Sequence, residues 1–194
     1  MRTKRKQTVK LKKEYAILQE TVVILPEFDE NGNLHALLCN REEIATVGMS
    51  PFNLIDHNLR YLGSSHRGAI VGAGALLGNV SMSPIVLNKE LDIILFPCTS
   101  PSREDCVWFS LQHVVDSVNL GEKRTQVNLS NGSSVIVHVS KYTFDKKVQR
   151  AYELRYKMQE RQRAFGNLVN EPASTYHLTK DVHALNYVKG GRRK

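Results

Sequence analysis

The stretch from Val127 to Val139 constrains the fold more than any other part of the chain. Val127 and Leu129 lead into Ser130-Asn131-Gly132, and Val135, Val137 and Val139 follow at alternate positions. Alternation of this kind is the mark of a strand with one buried face, and an Asn-Gly pair between two such runs marks a hairpin. Loop length then decides which side chains share a face. A two-residue Asn-Gly turn sets Leu129 opposite Ser134 and sends the valines to the wrong side. A three-residue loop, Ser130 to Gly132 with Gly132 in the left-handed region, puts Val127 and Leu129 on one face with Val135 and Val137. The three-residue loop is the expectation.

Further strands read out by the same logic. Thr21-Val22-Val23-Ile24-Leu25 is β-branched and apolar, with Pro26 as its expected stop. Asp29-Glu30-Asn31-Gly32-Asn33 supplies turn chemistry before Leu34 to Cys39, a second hairpin. Pro84–Leu87, Ile93–Phe96, Val107–Leu111 and His113–Leu120 are shorter candidates. Ser50-Pro51 is a cap followed by proline at the first helical position, and Phe52, Ile55, Leu59 and Leu62 recur at helical spacing up to Gly63. Residues 64–80, with Gly68, Gly72, Gly74 and Gly78, read as a weak helix or an ordered loop. Ser140 can cap a long helix with Phe144, Val148, Ala151, Leu154 and Met158 on one side. The expected fold is α+β: an antiparallel β-rich core, a short helix near 51–62 and a long C-terminal helix near 141–163, with no helix-turn-helix. Residues 1–13 read as a basic flexible tail, 14–165 as a single globular domain, and 166–194 as a C-terminal extension, partly flexible.

Charge narrows the function. The net charge of +8 is unevenly spread. Residues 1–13 carry +7, whereas 14–140 carry −7; residues 141–163 return to +5 and 189–194 carry +4. Positive charge confined to the ends and one segment suits gripping phosphates at defined places better than coating any polyanion. In the long helix, Lys146, Arg150, Lys157 and Arg161 fall within an arc of roughly 60° beside the apolar face. Glu153 and Glu160 flank that stripe and can pair with Lys157. No apolar run approaches the roughly 18 residues that span a bilayer. No signal-peptide core follows the basic N-terminus, and Cys39, Cys98 and Cys106 are odd in number and irregular in spacing. A reducing cytoplasm is the expectation.

Several motifs sit in one order along the chain. Asn53-Leu54-Ile55-Asp56-His57-Asn58-Leu59-Arg60-Tyr61-Leu62-Gly63-Ser64-Ser65 is followed by Ser83-Pro84-Ile85-Val86, Leu95-Phe96-Pro97 and Cys106-Val107-Trp108-Phe109-Ser110. His113-Val114, Leu129-Ser130-Asn131-Gly132 and Val139-Ser140 through Phe144 come next, then Leu154-Arg155 and Gln159. Together, over roughly residues 20–163, they resemble the ComK family of competence transcription factors. The resemblance implies an activator of DNA-uptake genes that binds AT-rich promoter boxes largely through the minor groove, in multimeric form. It also implies an adaptor that delivers the protein to a Clp protease. The chain departs from the family in the basic stretch before Lys13 and in the segment after Gly166, where no adaptor-capture motif is recognisable.

The expected partner is AT-rich double-stranded DNA, bound by a homo-oligomer in the cytoplasm at the nucleoid; no cofactor, metal or membrane is expected. Lys146, Arg150, Lys157 and Arg161 are expected to contact phosphates. Arg2, Lys4, Arg5 and Lys6 could form an arm in the minor groove. Arg60 and Arg67 flank the Gly-Ser-Ser turn, where a glycine-bounded loop carrying Arg67 would probe the groove. The competing reading for the stripe is a solvated, internally paired face. Gly72-Ala73-Gly74-Ala75-Leu76-Leu77-Gly78 misses a dinucleotide fingerprint by one residue and reads as a packed segment. Cys98, Cys106 and His113 lack the spacing and fourth ligand of a zinc site. Cys106, His113 and Asp116 read as strand neighbours rather than a catalytic set, and Trp108 as core. An adaptor or nonspecific nucleic-acid-binding module, and a small thiol enzyme, are the alternatives.

Overall fold

The β-branched run at Thr21 becomes the centre of a seven-stranded sheet in the computed structural model. That model describes residues 11–12, 16–168, 174–176, 180, 183 and 187–189. The strands are β1 (Leu11–Lys12), β2 (Thr21–Phe28), β3 (Leu34–Asn40), β4 (Ile44–Val47), β5 (Ile85–Asn88), β6 (Ile93–Pro97) and β7 (Trp108–Ser110). Their order is β1-β4-β3-β2-β7-β6-β5. All neighbours are antiparallel except β1 with β4. The β2–β3 hairpin is the one expected, but β2 runs through Pro26, which pairs with Ala36. β7 accompanies β2 only at Val23 and Ile24. Pro26 lies past that contact, where a missing N–H removes no ladder bond to β7.

Both faces of the sheet are covered, and the sequence shows it strand by strand. Ile24, Leu38, Leu95 and Trp108 enter one apolar cluster, while their neighbours Val23, Cys39, Phe96 and Phe109 enter another. A strand buried on both sides needs apolar residues at every position, which is why Ile93-Ile94-Leu95-Phe96 shows no alternation. Helix α1 (Pro51–Tyr61) covers the first face with Leu54, Ile55 and Leu59, and α2 (His66–Leu77) adds Ala69 and Ile70. Residues 64–80 are thus mainly helical, with Ser65 as N-cap.

The second face carries a three-stranded sheet and the long helix. The strands are β8 (Val114–Gly121), β9 (Arg124–Leu129) and β10 (Ser134–Val137), in the order β10-β9-β8; a 3₁₀ turn at Leu111–His113 precedes β8. Val135 pairs with Val127 and Ser134 with Asn128. The Leu129 N–H donates to the Ser133 carbonyl at 2.9 Å, leaving Ser130-Asn131-Gly132 as the loop, with Gly132 at φ +80°. The expected three-residue loop and its register are both present. Val127, Leu129 and Val137 are buried against Phe144 and Ala151 of α3 (Lys141–Leu168). Phe144 contacts Phe96 and Phe109 with ring centroids at 5.8 and 5.2 Å. The helix begins at the expected Ser140, whose Oγ accepts from the Thr143 N–H at 3.2 Å, and runs to Leu168. This is the α+β fold, antiparallel-rich and with the two helices where the periodicities put them.

The chain divides into two compact units between Tyr156 and Lys157. In the second, β11 (Ser174–Tyr176) pairs antiparallel with β12 (Tyr187–Lys189).

Candidate nucleic-acid interface

Helix α1 ends where the sequence motif demands a sharp stop. The Gly63 N–H donates to the Arg60 carbonyl at 3.0 Å and the Ser64 N–H to the Leu59 carbonyl at 2.8 Å, with Gly63 at φ +78°. This pairing closes a helix through a left-handed residue, a conformation costly to side chains other than glycine. Ser65 then caps α2, its Oγ accepting from the Gly68 N–H at 3.1 Å. Asp56 ties the two helices: its Oδ1 accepts from the His66 N–H at 2.8 Å and its Oδ2 from the Arg60 Nε at 2.7 Å. The His66 N–H bond, with the Arg60 guanidinium, holds the Asp56 carboxyl below its ordinary range. The His66 ring packs on Phe52 at 4.7 Å and edge-on to Trp108 at 6.0 Å. Burial lowers its pKa, so the neutral ring is favoured.

Arg60 is exposed but already held by Asp56. Arg67 is exposed in the first turn of α2, not on a loop. Of the two readings left open for residues 64–80, a weak helix or an ordered loop, the helix is found, started by the Ser65 cap and the Asp56–His66 bond, so Arg67 is not carried on a loop. Gly72 and Gly74 lie inside α2 and Gly78 ends it.

Lys146 and Arg150 stand on α3 within the first unit. Lys146 Nζ donates to Gln149 Oε1 at 3.3 Å and lies 5.7 Å from the centre of the Tyr142 ring. Arg150 is half-buried. Their part of the helix is tied to the strands by side-chain contacts. Ser117 Oγ of β8 donates to Asp145 Oδ1 at 2.6 Å, and Lys141 also holds Asp145. Arg155 grips Asp92, between β5 and β6, through two bonds, that from Nε at 3.0 Å. Lys157, half-buried, and Arg161, exposed, lie on α3 within the second unit, and each takes part in further interactions. Arg2, Lys4, Arg5 and Lys6 lie outside the described residues.

The first unit separates the expected contacts into two groups. Arg60 and Arg67 belong to helices on one face of the large sheet, Lys146 and Arg150 to the helix on the other. Lys147 of α3 is a cation to which the sequence reading gave no place. Lys147 is only 4% exposed. Its position three residues after Phe144 and four before Ala151 was the available signal, since that spacing selects the buried face.

The thiol and metal readings find no assembled site. His113 is buried, with Nδ1 2.6 Å from Ser130 Oγ and Nε2 2.7 Å from the Gln19 carbonyl, so both nitrogens are engaged away from Cys106. Asp116 accepts from Asn128 Nδ2 at 2.6 Å. Among the described residues, no group of three or more His, Cys, Asp or Glu is placed to hold a metal ion. No helix among them is long and apolar enough to cross a membrane. Trp108 is fully buried, as expected.

Comparison with known proteins gives a consistent result. The family model described as "ComK protein" matches residues 12–163. A curated relative, the competence transcription factor of Bacillus subtilis (strain 168), is 29% identical over 147 residues, which is 76% of each chain. No solved structure matches the chain significantly.

Proposed function

The chain belongs to the ComK family, and from that premise we propose that it activates transcription of DNA-uptake genes by binding AT-rich promoter boxes, mainly through the minor groove. The observation that carries the reading is the family match across residues 12–163, which spans every element from β2 into α3. The similar Bacillus subtilis protein is a competence transcription factor. The site of action is the cytoplasm, at the nucleoid, and the binding form is a homo-oligomer. Delivery to a Clp protease by an adaptor is a further partner of this reading.

The chemistry of α3 supports phosphate contact by Lys146, Arg150, Lys157 and Arg161. Phosphate contacts set register and supply the salt-dependent part of affinity, while sequence preference comes from groove shape and base edges. AT-rich tracts narrow the minor groove and attract arginine into it. Arg67, exposed at the start of α2, and Arg60 beside it are the candidates for that role on the other face of the sheet, as are Arg2, Lys4, Arg5 and Lys6 in an arm. Because α2 and α3 lie on opposite faces, contact by both needs DNA wrapped around a subunit or a second copy of the chain.

Binding to an AT-rich duplex with two spaced A-tract/T-tract boxes, against a GC-rich duplex of equal length across a salt series, tests the proposal. AT preference that survives moderate salt is the expected result. Equal affinities that vanish together as salt rises would leave a nonspecific polyanion-binding module, a reading favoured by the concentration of positive charge at the two ends of the chain.

A further inference from the structure

Tyr142, Gln149 and Tyr156 recur every seven residues along α3, and all three are exposed. At about 100° per residue they stay within an arc of roughly 40°, the narrow seam that two helices share when they pack along their length. The seam points away from the side that carries the buried Phe144, Ala151 and Leu154. Tyr152 stands beside it, and Tyr142, Tyr152 and Tyr156 are 73%, 48% and 62% exposed. A single exposed aromatic is ordinary, but three on one side of one helix make a patch. Tyrosine suits a binding surface, because its ring covers apolar area while its hydroxyl still finds a partner. All of these residues belong to the first unit of the chain.

The flanks of the seam identify what covers it. Lys146 and Glu153 lie along one flank, Asp145 and Tyr152 along the other. A two-fold axis through Gln149 sets a second copy of α3 antiparallel to the first and keeps each flank beside the same flank of its mate. Residues equally far before and after Gln149 then meet. Tyr142 packs on Tyr156 of the second copy, and Gln149 faces Gln149. On one flank Lys146 meets Glu153 of the second copy, opposite in charge. On the other, the Tyr152 hydroxyl can donate to the Asp145 carboxylate. Each contact occurs twice. Within one helix Lys146 and Glu153 are about 10 Å apart along the axis, too far to pair. Lys146 is already drawn to the seam: its Nζ donates to Gln149 Oε1 at 3.3 Å and lies 5.7 Å from the centre of the Tyr142 ring.

We propose that the Tyr142–Gln149–Tyr156 seam of α3 is a dimer interface, joining two copies of the chain antiparallel about Gln149, with Lys146 of each copy paired to Glu153 of the other. The proposal deepens the reading of a homo-oligomeric DNA-binding form and rests on it for its choice of a second copy as the occupant. The symmetry also serves that reading. Arg150 lies beyond Lys146 on the same flank, so the two-fold places the Arg150 side chains of both copies on one side of the pair, where one duplex can meet them.

The test is the mass of the full chain in solution, without DNA, by sedimentation over a concentration series. Wild type is expected at twice the 22.0 kDa of one chain. Tyr142→Ala combined with Tyr156→Ala removes two exposed side chains and spares the core, so it is expected to give the single-chain mass with an unchanged circular dichroism spectrum. Lys146→Glu alone and Glu153→Lys alone are each expected to weaken dimerisation about tenfold, since the two-fold turns each lost attraction into two repulsions. Lys146→Glu and Glu153→Lys together are expected to restore it, and restoration can arise only across the interface. A single-chain mass for wild type at every concentration would overturn the proposal. So would a dimer that the tyrosine variant leaves intact, or a double charge swap that associates no better than the single ones. The two readings fail separately: a dimer that dissociates as expected but shows no AT preference removes the transcription reading alone, and AT preference by a single chain removes the seam alone.

Discussion

Asp56 shows how one side chain can set a local architecture. It accepts from the first backbone N–H of α2 and from Arg60 at once, so the α1–α2 junction and the Arg60 side chain depend on a single carboxylate. Asp56→Ala is expected to cost about 1.5–3 kcal/mol in urea denaturation, the range for a hydrogen bond to a charged group. The pH dependence follows from the depressed native pKa. Stability from Asp56 is complete above its unfolded value of 3.8 and is lost as pH falls through the lower native value. The wild-type and Asp56→Ala curves should therefore converge in acid; a constant gap down to low pH would argue against the mechanism. Lys147 has the opposite character. Burial depresses its pKa, so the folded state opposes its charge throughout the pH range below that depressed value. Lys147→Met is expected to leave stability at pH 7 unchanged or raise it by up to about 2 kcal/mol, read as a urea midpoint.

At the scale of elements, the β9–β10 hairpin and α3 form one packing unit. Phe144 meets Phe96, Phe109, Val127 and Val137 across that interface, and Gly132 makes the turn that brings Val135 and Val137 to it. Phe144→Ala should destabilise by about 3–5 kcal/mol through reduced burial and a residual cavity. Gly132→Ala should cost about 1–2 kcal/mol although nothing lies within 4 Å of the added carbon, because the penalty comes from φ +80° alone. Equal urea midpoints for Gly132→Ala and wild type would mean that the loop relaxes to another form. These elements were legible because their signals are local. Alternation, the Ser130-Asn131-Gly132 loop and the Ser50 and Ser140 caps all act within a few residues. α2 was only half legible, since its glycines weaken helix propensity. Its helical state rests on Ser65, on the Asp56 contact ten residues back, and on the packing of Ala69 and Ile70.

For the molecule as a whole, the distribution of charge governs how binding responds to salt. If Arg150, Lys157 and Arg161 each neutralise a phosphate, replacing all three with alanine lowers the slope of log affinity against log salt by about 0.9 for each phosphate left without its cation. Affinity should then fall for AT-rich and GC-rich duplexes alike, while the ratio between them is kept. An unchanged slope would remove α3 from the interface. Arg60→Ala and Arg67→Ala should act differently, reducing the AT preference with a smaller change in slope, if they enter the groove.

The kind of fold, the family, the hairpin register and the places where positive charge is concentrated are legible in the residues alone. Each of these is written in spacing, in turn chemistry or in the order of motifs along the chain. Only tertiary contacts pair β2 with β7, place Arg60 and Arg67 across the sheet from Lys146 and Arg150, and bury Lys147 against Met82. These depend on contacts between residues far apart in sequence. Local periodicity says which face of an element is buried, but not which distant element will bury it.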